Sequence, residues 1–221
     1  MSSRFPAALL TLTLVLAPGG ADAQTLNPHE EEMQAYEKHD REEPPRRGVI
    51  LFLGGHLFKT WEPIGQDFPP SLTIIGRGFT NWSMKDSVQF AARTSIVYQP
   101  RLIVLQAGGV DLREGRTPVE VLTLFQSCVA TVRAKLPRTR IIFLSLSPSY
   151  RSWNNRGPQI QVNQLIAEYA AKAENVGFID IWTPMLGPDG TIRSDMFMTD
   201  SHQPSRESYL LRAKVIAPYL R

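Results

Sequence analysis

The chain has 221 residues, of which 24 are lysine or arginine and 21 are aspartate or glutamate, so its formal net charge at pH 7 is only +3. Because this excess is small and the basic residues are scattered, the composition argues against a nucleic acid as the partner. Cys128 is the only cysteine, which excludes an intrachain disulfide and leaves the fold to depend on an apolar core.

The first residues have the features of a secretory leader. Arg4 precedes an apolar run over residues 5–17, which is followed by Pro18-Gly19-Gly20 and then by Ala21-Asp22-Ala23. A positive start, a short apolar segment and an A-x-A site predict cleavage after Ala23, and therefore a secreted or periplasmic protein. The alternative, a membrane anchor, is disfavoured because a span needs roughly 20 apolar residues. No later segment predicts a membrane span.

A highly charged segment, residues 24–47, lies between the leader and one predicted domain, residues 48–221. Asn27 and Pro28 suit the N-cap and the first position of a helix. Since the segment offers few apolar contacts, we expect a surface helix and a linker rather than a domain. His29 is expected to be solvated like the charges around it.

Short apolar runs alternate with helical patterns along the domain. The runs predict strands at residues 49–53, 71–75, 102–105, 140–147 and 176–181. The helical patterns cover residues 83–97 weakly, a segment that opens with the capping box Thr117-Pro118-Val119-Glu120, the region of residues 162–169, and residues 209–220. Strands that alternate with helices predict an α/β fold, with a parallel sheet covered on both faces.

The predicted strand ends indicate where a site lies, because parallel α/β sheets bind ligands at the carboxyl ends of their strands. The first strand runs into Gly54-Gly55-His56, and the third leads to Gly108 and Asp111. The late loop Asp200-Ser201-His202-Gln203 is expected at the same edge. We therefore expect a cleft there.

A series of motifs spans nearly all of the domain. In chain order they are Phe52-Leu53-Gly54, Trp61, Arg77-Gly78-Phe79, the stretch 100–108, Asp111-Leu112, Ser147-Pro148-Ser149, Asn163, Asp180, and Asp200 with Tyr209. In this order they resemble the SGNH, or GDSL-type, hydrolase superfamily, and particularly its platelet-activating-factor acetylhydrolase-like bacterial branch. The resemblance implies a three-layer α/β/α sandwich with a five-stranded parallel sheet of flavodoxin-like topology. It also implies ester hydrolysis by serine, histidine and aspartate, with an oxyanion hole.

The catalytic motifs depart from that family. His56 stands where the family has its nucleophilic serine. Counting back from Tyr209 puts Gln203 at the position of the catalytic histidine, although a loop shifted by one residue would present His202 instead. Asp200 stands at the position of the catalytic aspartate.

The oxyanion positions are altered as well. They correspond to Gly55, Asn81 and Val110, and a valine side chain cannot donate a hydrogen bond. Gly54, Gly108 and Asp111 are expected beside them in the cleft. For Asp111, a role as a turn or cap residue is an equal alternative.

These changes favour a non-catalytic protein whose cleft binds a ligand or partner. The alternative is a hydrolase with altered chemistry, in which His56, Asp200 and His202 supply a histidine nucleophile or hold a metal that activates water. A single Asp-x-His pair is a weak metal signal, so we predict neither a metal nor a cofactor. The resemblance implies a small ester, an acylated sugar or a lipid-like molecule as the ligand, and leaves the oligomeric state open.

Overall fold

The computed structural model describes residues 27–198 and 203–221, which form five strands and eight helices around one parallel sheet. The strands are β1 Ile50–Gly54, β2 Ile74–Gly78, β3 Leu102–Gln106, β4 Arg140–Leu144 and β5 Val176–Ile179. The helices are α1 Glu30–Glu42, α2 His56–Thr60, α3 Met84–Gln89, α4 Ala91–Thr94, α5 Gly109–Arg113, α6 Pro118–Arg133, α7 Gly157–Ala170 and α8 Arg206–Ile216. The strand order is β2-β1-β3-β4-β5 and every pair is parallel. The predicted fold class and flavodoxin-like order are confirmed.

Alternate residues of the strands build two cores, one on each face of the sheet. On one face, Leu51 and Leu53 pack with the apolar side chains of α1, α3, α6 and α7. On the other, Ile50 and Phe52 pack with α2, α8 and the segment between α2 and β2. Cys128 lies in the first core, where burial raises the pKa of its thiol to about 12. The three-layer arrangement follows from this alternation.

Two predicted elements differ from the observed ones. The second strand comprises Ile74–Gly78 rather than residues 71–75, because Ile74 to Gly78 pair in register with Ile50 to Gly54. The predicted helix over residues 83–97 is interrupted at Phe90, whose backbone (φ −103°, ψ 14°) leaves helical geometry. The Phe90 ring packs against that of Trp82 at this bend, with 6.0 Å between the ring centres.

The charged segment packs more closely onto the domain than its composition predicts. Helix α1 begins after His29 and not after Asn27, whose side-chain oxygen instead accepts a hydrogen bond from the His29 N–H. Met33 is fully buried in the core, and the Tyr36 hydroxyl donates to the Gly78 carbonyl over 2.8 Å. The segment is therefore a fixed part of the domain surface.

The prediction for His29 was wrong. Its ring is only 4% exposed and lies 4.9 Å from the Trp82 ring, centre to centre. Its Nε2 atom is 3.3 Å from the carboxylate of Asp86. The aromatic side chains that follow β2 make this pocket, which sequence spacing does not reveal.

The predicted leader, residues 1–23, lies outside the described residues. Within the described part of the chain, no helix has both the length and the apolar composition that crossing a membrane requires.

Candidate functional site

The turn after β1 brings the backbone of Gly54 close to that of β3 and places the His56 side chain at the carboxyl edge of the sheet. Gly54 is buried where β1 meets β3, and a Cβ atom there would lie 2.2 Å from the carbonyl oxygen of Gln106, so only glycine fits. Gly55 is the N-cap of α2 and adopts an extended conformation. His56 is then the first residue of α2, exposed at the carboxyl end of the strand.

The structure brings His56 together with Gln203. His56 Nε2 lies 2.9 Å from Gln203 Oε1, although 147 positions separate the two residues in the chain. Because an amide oxygen can only accept a hydrogen bond, the imidazole donates from Nε2 in this arrangement. Asp200 and His202, the other predicted members of this group, lie outside the described residues.

The predicted oxyanion positions separate into two groups. Gly55 and Val110 line the same cleft as His56, with Val110 in the first turn of α5. Asn81 does not line the cleft. It has a left-handed backbone (φ 52°), is exposed, and accepts a long hydrogen bond of 3.4 Å from Arg113 Nη2 through Oδ1.

Asp111 does not line the cleft, contrary to one of its two predicted roles. Its carboxylate is fully buried, and Oδ2 accepts a hydrogen bond of 2.7 Å from the Met84 N–H at the start of α3. Gly54 and Gly108 are likewise buried behind the cleft wall. At Gly108, φ is +118° and a Cβ atom would lie 2.9 Å from Val121 Cγ1, so this turn also requires glycine. These three residues support the site without contacting its interior.

The cleft itself has a volume of about 270 Å³ and contains residues that were not predicted as site residues. They come from the ends of β3 and β4, from α5, α7 and α8, and from the segment before α8. Those with polar side chains are Gln106, Arg113, Ser147, Ser149, Gln159 and Arg212. The positions after β3 and β4 could have been inferred from the strand-end rule.

Arg212 is the least expected of these residues. It is 2% exposed and lies on α8, three residues after Tyr209 and four before the buried Ile216, so it interrupts the apolar stripe of the helix. Burial lowers the pKa of its guanidinium to about 10, which leaves it charged at neutral pH. A charged residue within an apolar stripe was the sequence signal for it.

The two serines of the cleft have no histidine partner among the described residues. The Ser149 hydroxyl lies 2.7 Å from the Ser152 hydroxyl, and no contact with an imidazole is formed by either Ser147 or Ser149 there. The part of the chain that the structure describes also contains no group of three histidine, cysteine or carboxylate side chains that could hold a metal ion.

A profile of the GDSL-like lipase/acylhydrolase family matches residues 53–207. Similar solved structures include a candidate platelet activating factor of Streptococcus pneumoniae, with a TM-score of 0.75 and 21% identity over 87% of this chain and 93% of that one. A GDSL-like lipase of Bacteroides thetaiotaomicron has a TM-score of 0.69 and 19% identity over 85% of this chain and 96% of that one. A candidate acylhydrolase of Bacteroides fragilis has a TM-score of 0.71 and 20% identity, covering 85% and 94%. No curated protein matches the chain.

Proposed function

The chain belongs to the GDSL-like lipase/acylhydrolase family, and from that premise we propose that it is a member that binds a ligand in its cleft and does not hydrolyse esters. The observation that carries the proposal is the contact of 2.9 Å between His56 Nε2 and Gln203 Oε1. An amide is neither a base nor a nucleophile at neutral pH. The first position thus offers no serine hydroxyl and the second offers no base to activate one, so the pair cannot work as the serine and histidine of a triad do.

The surroundings of His56 support the same conclusion. A developing oxyanion needs preorganised donors, and the side chain that Val110 presents to the cleft is apolar. Loss of one such donor typically lowers the rate by ~10²–10³, and loss of the nucleophile or base lowers it by ~10⁶ in a well-studied triad enzyme. Together these losses leave no appreciable hydrolysis.

The cleft nevertheless keeps the form of a binding site. It lies at the carboxyl ends of β1, β3 and β4, and its volume of about 270 Å³ is close to that of common small-molecule pockets, which begin at roughly 300 Å³. Tightly packed glycines still hold the strand ends together, as at Gly54 against Gln106. We infer that the scaffold serves binding.

Two assays on the purified protein test this proposal. We expect no hydrolysis of p-nitrophenyl acetate or butyrate above a heat-denatured control, and no labelling by a serine-directed fluorophosphonate. Ser147→Ala and Ser149→Ala serve as matched variants, because these two serines line the cleft among the described residues. Stoichiometric labelling that either variant abolishes would overturn the proposal.

We also propose that the protein is exported. The support is the order of Arg4, the apolar residues 5–17 and the Ala21-Asp22-Ala23 site. Expression of the full chain in a bacterial host, followed by N-terminal sequencing of the periplasmic fraction, should give a protein that begins at Gln24. An uncleaved chain retained in the cytoplasm would contradict export.

A further inference from the structure

The cleft around His56 adjoins a second cavity of about 380 Å³, which we call the groove. Gly109, Arg113, Ser149 and Gln159 line both cavities. The two cavities are therefore neighbours, and a ligand longer than the cleft would reach from it over α5 towards the loop that precedes α7.

This surface is unusual in its charge. Four arginines line it, and no aspartate or glutamate among the described residues does so; the arginines are Arg113, Arg116, Arg151 and Arg212. Of the four, only Arg116 forms an ion pair among the described residues, with the buried Asp111, which does not itself line the surface. The lining is therefore a one-sign cluster rather than an ordinary mixed surface.

Arg212 shows the charge imbalance most clearly. Its Nη1 atom donates to the Ser208 carbonyl over 3.0 Å and also contacts the Ser208 hydroxyl, and Nη2 lies 3.2 Å from the thioether of Met185, a weak acceptor. Its Nε atom is buried and has no hydrogen-bond partner within the described chain. Among the described residues, no carboxylate forms an ion pair with Arg212. A buried charge is costly unless it is paired, and an anion in the cleft would supply a counter-charge.

Arg116 is partly exposed in the groove and forms an ion pair with the buried Asp111. Its Nε atom lies 3.8 Å from Asp111 Oδ1 and has no hydrogen bond within the described residues. That carboxylate already accepts from the Met84 N–H. Among the described residues, Arg113 uses one nitrogen in the long contact with Asn81. Both side chains are exposed or partly exposed, so their other N–H groups can donate to a ligand.

We propose that the cleft and the groove together bind a chain-like polyanion, with one anionic group at Arg212 and another at Arg113 and Arg116. Arginine is suited to this because its planar guanidinium donates two parallel hydrogen bonds to a carboxylate or phosphate. The polar neutral side chains Ser152, Asn155 and Gln159 also line the groove and can bond to hydroxyl or ether oxygens of such a chain. The ligand assignment builds on the non-catalytic binding role proposed above.

The experiment is calorimetric titration at pH 7 and low salt with three probes. Trigalacturonate carries carboxylates on a sugar chain, tripolyphosphate carries phosphates, and maltotriose is an uncharged chain of similar length. We expect one or both anions to bind and maltotriose not to bind, and the preferred anion identifies the source of the charge. Equal or absent binding of all three probes would exclude the polyanion assignment.

Variants locate the binding surface. Arg113→Gln and Arg116→Gln should each weaken the anion about tenfold or more, since a hydrogen bond to a charged group contributes about 1.5–3 kcal/mol. Arg138→Gln is the matched control, because Arg138 is exposed just before β4, at the opposite end of that strand from the cleft. Arg212→Met should weaken binding similarly. If that variant does not fold, Arg113→Gln and Arg116→Gln still test the proposed polyanion site. Anion binding that is unchanged in both variants would refute the site.

Ester hydrolysis is measured on the same preparation, so that failure of the non-catalytic role can be distinguished from failure of the polyanion assignment. Hydrolysis together with arginine-dependent anion binding would overturn only the non-catalytic role. No hydrolysis and no anion binding would overturn only the ligand assignment.

Discussion

His56 and Gln203 form a direct contact of 2.9 Å between Nε2 and Oε1 at the point where α2 and the segment before α8 meet. The motif comparison predicts a serine and a histidine at these positions in the resembled family. The present chain has an imidazole at the first position and an amide at the second, and the two lie within hydrogen-bonding distance.

This geometry predicts that activity can be restored. The triple variant His56→Ser, Val110→Asn, Gln203→His should hydrolyse p-nitrophenyl acetate measurably above the wild type, because a hydroxyl, a base and an oxyanion donor would then share the cleft. The matched double variant, which keeps Val110, should be ~10²–10³-fold slower than the triple. A triple variant no faster than the wild type would show that the cleft backbone no longer has a catalytic shape.

The Asp111 carboxylate supports the start of α3, and its contribution can be measured as a free energy of unfolding. Asp111→Ala should lower the free energy of unfolding by about 2 kcal/mol, because the buried Met84 N–H loses its acceptor at 2.7 Å. Asp111→Asn keeps an acceptor oxygen and should lose less than the alanine variant. Urea unfolding measures all variants, with Glu114→Ala as an exposed control expected to stay within about 0.5 kcal/mol. An alanine variant as stable as that control would exclude the capping role.

The sequence predicted the elements whose signals are local. The capping box at Thr117 and Glu120 is present, with Pro118 at the first position of α6. The apolar run before Gly54 forms a buried strand, and the glycines that follow turn the chain into α2. In each case neighbouring residues determine the backbone, so one stretch of sequence is sufficient.

What the sequence missed depends on contacts between distant segments. The start of β2 at Ile74 is set by pairing with Ile50, and a segment that contains two glycines gives little local signal for it. Burial of His29 depends on aromatic rings that come together only after folding. The inward position of Arg212 likewise requires that α8 pack on the sheet. These features belong to tertiary structure.

The stability of a Gly78 variant measures how tightly α2 packs against the sheet. A Cβ atom at this position would lie 2.0 Å from the Lys59 backbone nitrogen, and a backbone atom cannot move aside as a flexible side chain can. Gly78→Ala should therefore lower the free energy of unfolding by ~3 kcal/mol or more. Gly157→Ala is the control, because a Cβ there meets nothing within 4 Å and should be neutral or slightly stabilising. Equal stability of the two variants would mean that α2 is not fixed against β2.

The attachment of α1 should weaken in acid, through Glu30. Hydrogen bonds from Arg93 above all, and also from Gln34 and Asn27, lower the pKa of the Glu30 carboxyl from 4.5 to about 2. Because the folded pKa lies below the unfolded one, the stabilisation is complete above pH 4.5 and is lost as the pH falls towards 2. Carboxyl carbon NMR should give a Glu30 midpoint near 2 in the wild type, moving back towards 4.5 in Arg93→Met. In unfolding experiments, the difference between the wild type and Glu30→Gln should be largest above pH 4.5 and should shrink below it. A Glu30 midpoint that Arg93→Met leaves unchanged would show that this ion pair does not hold the helix.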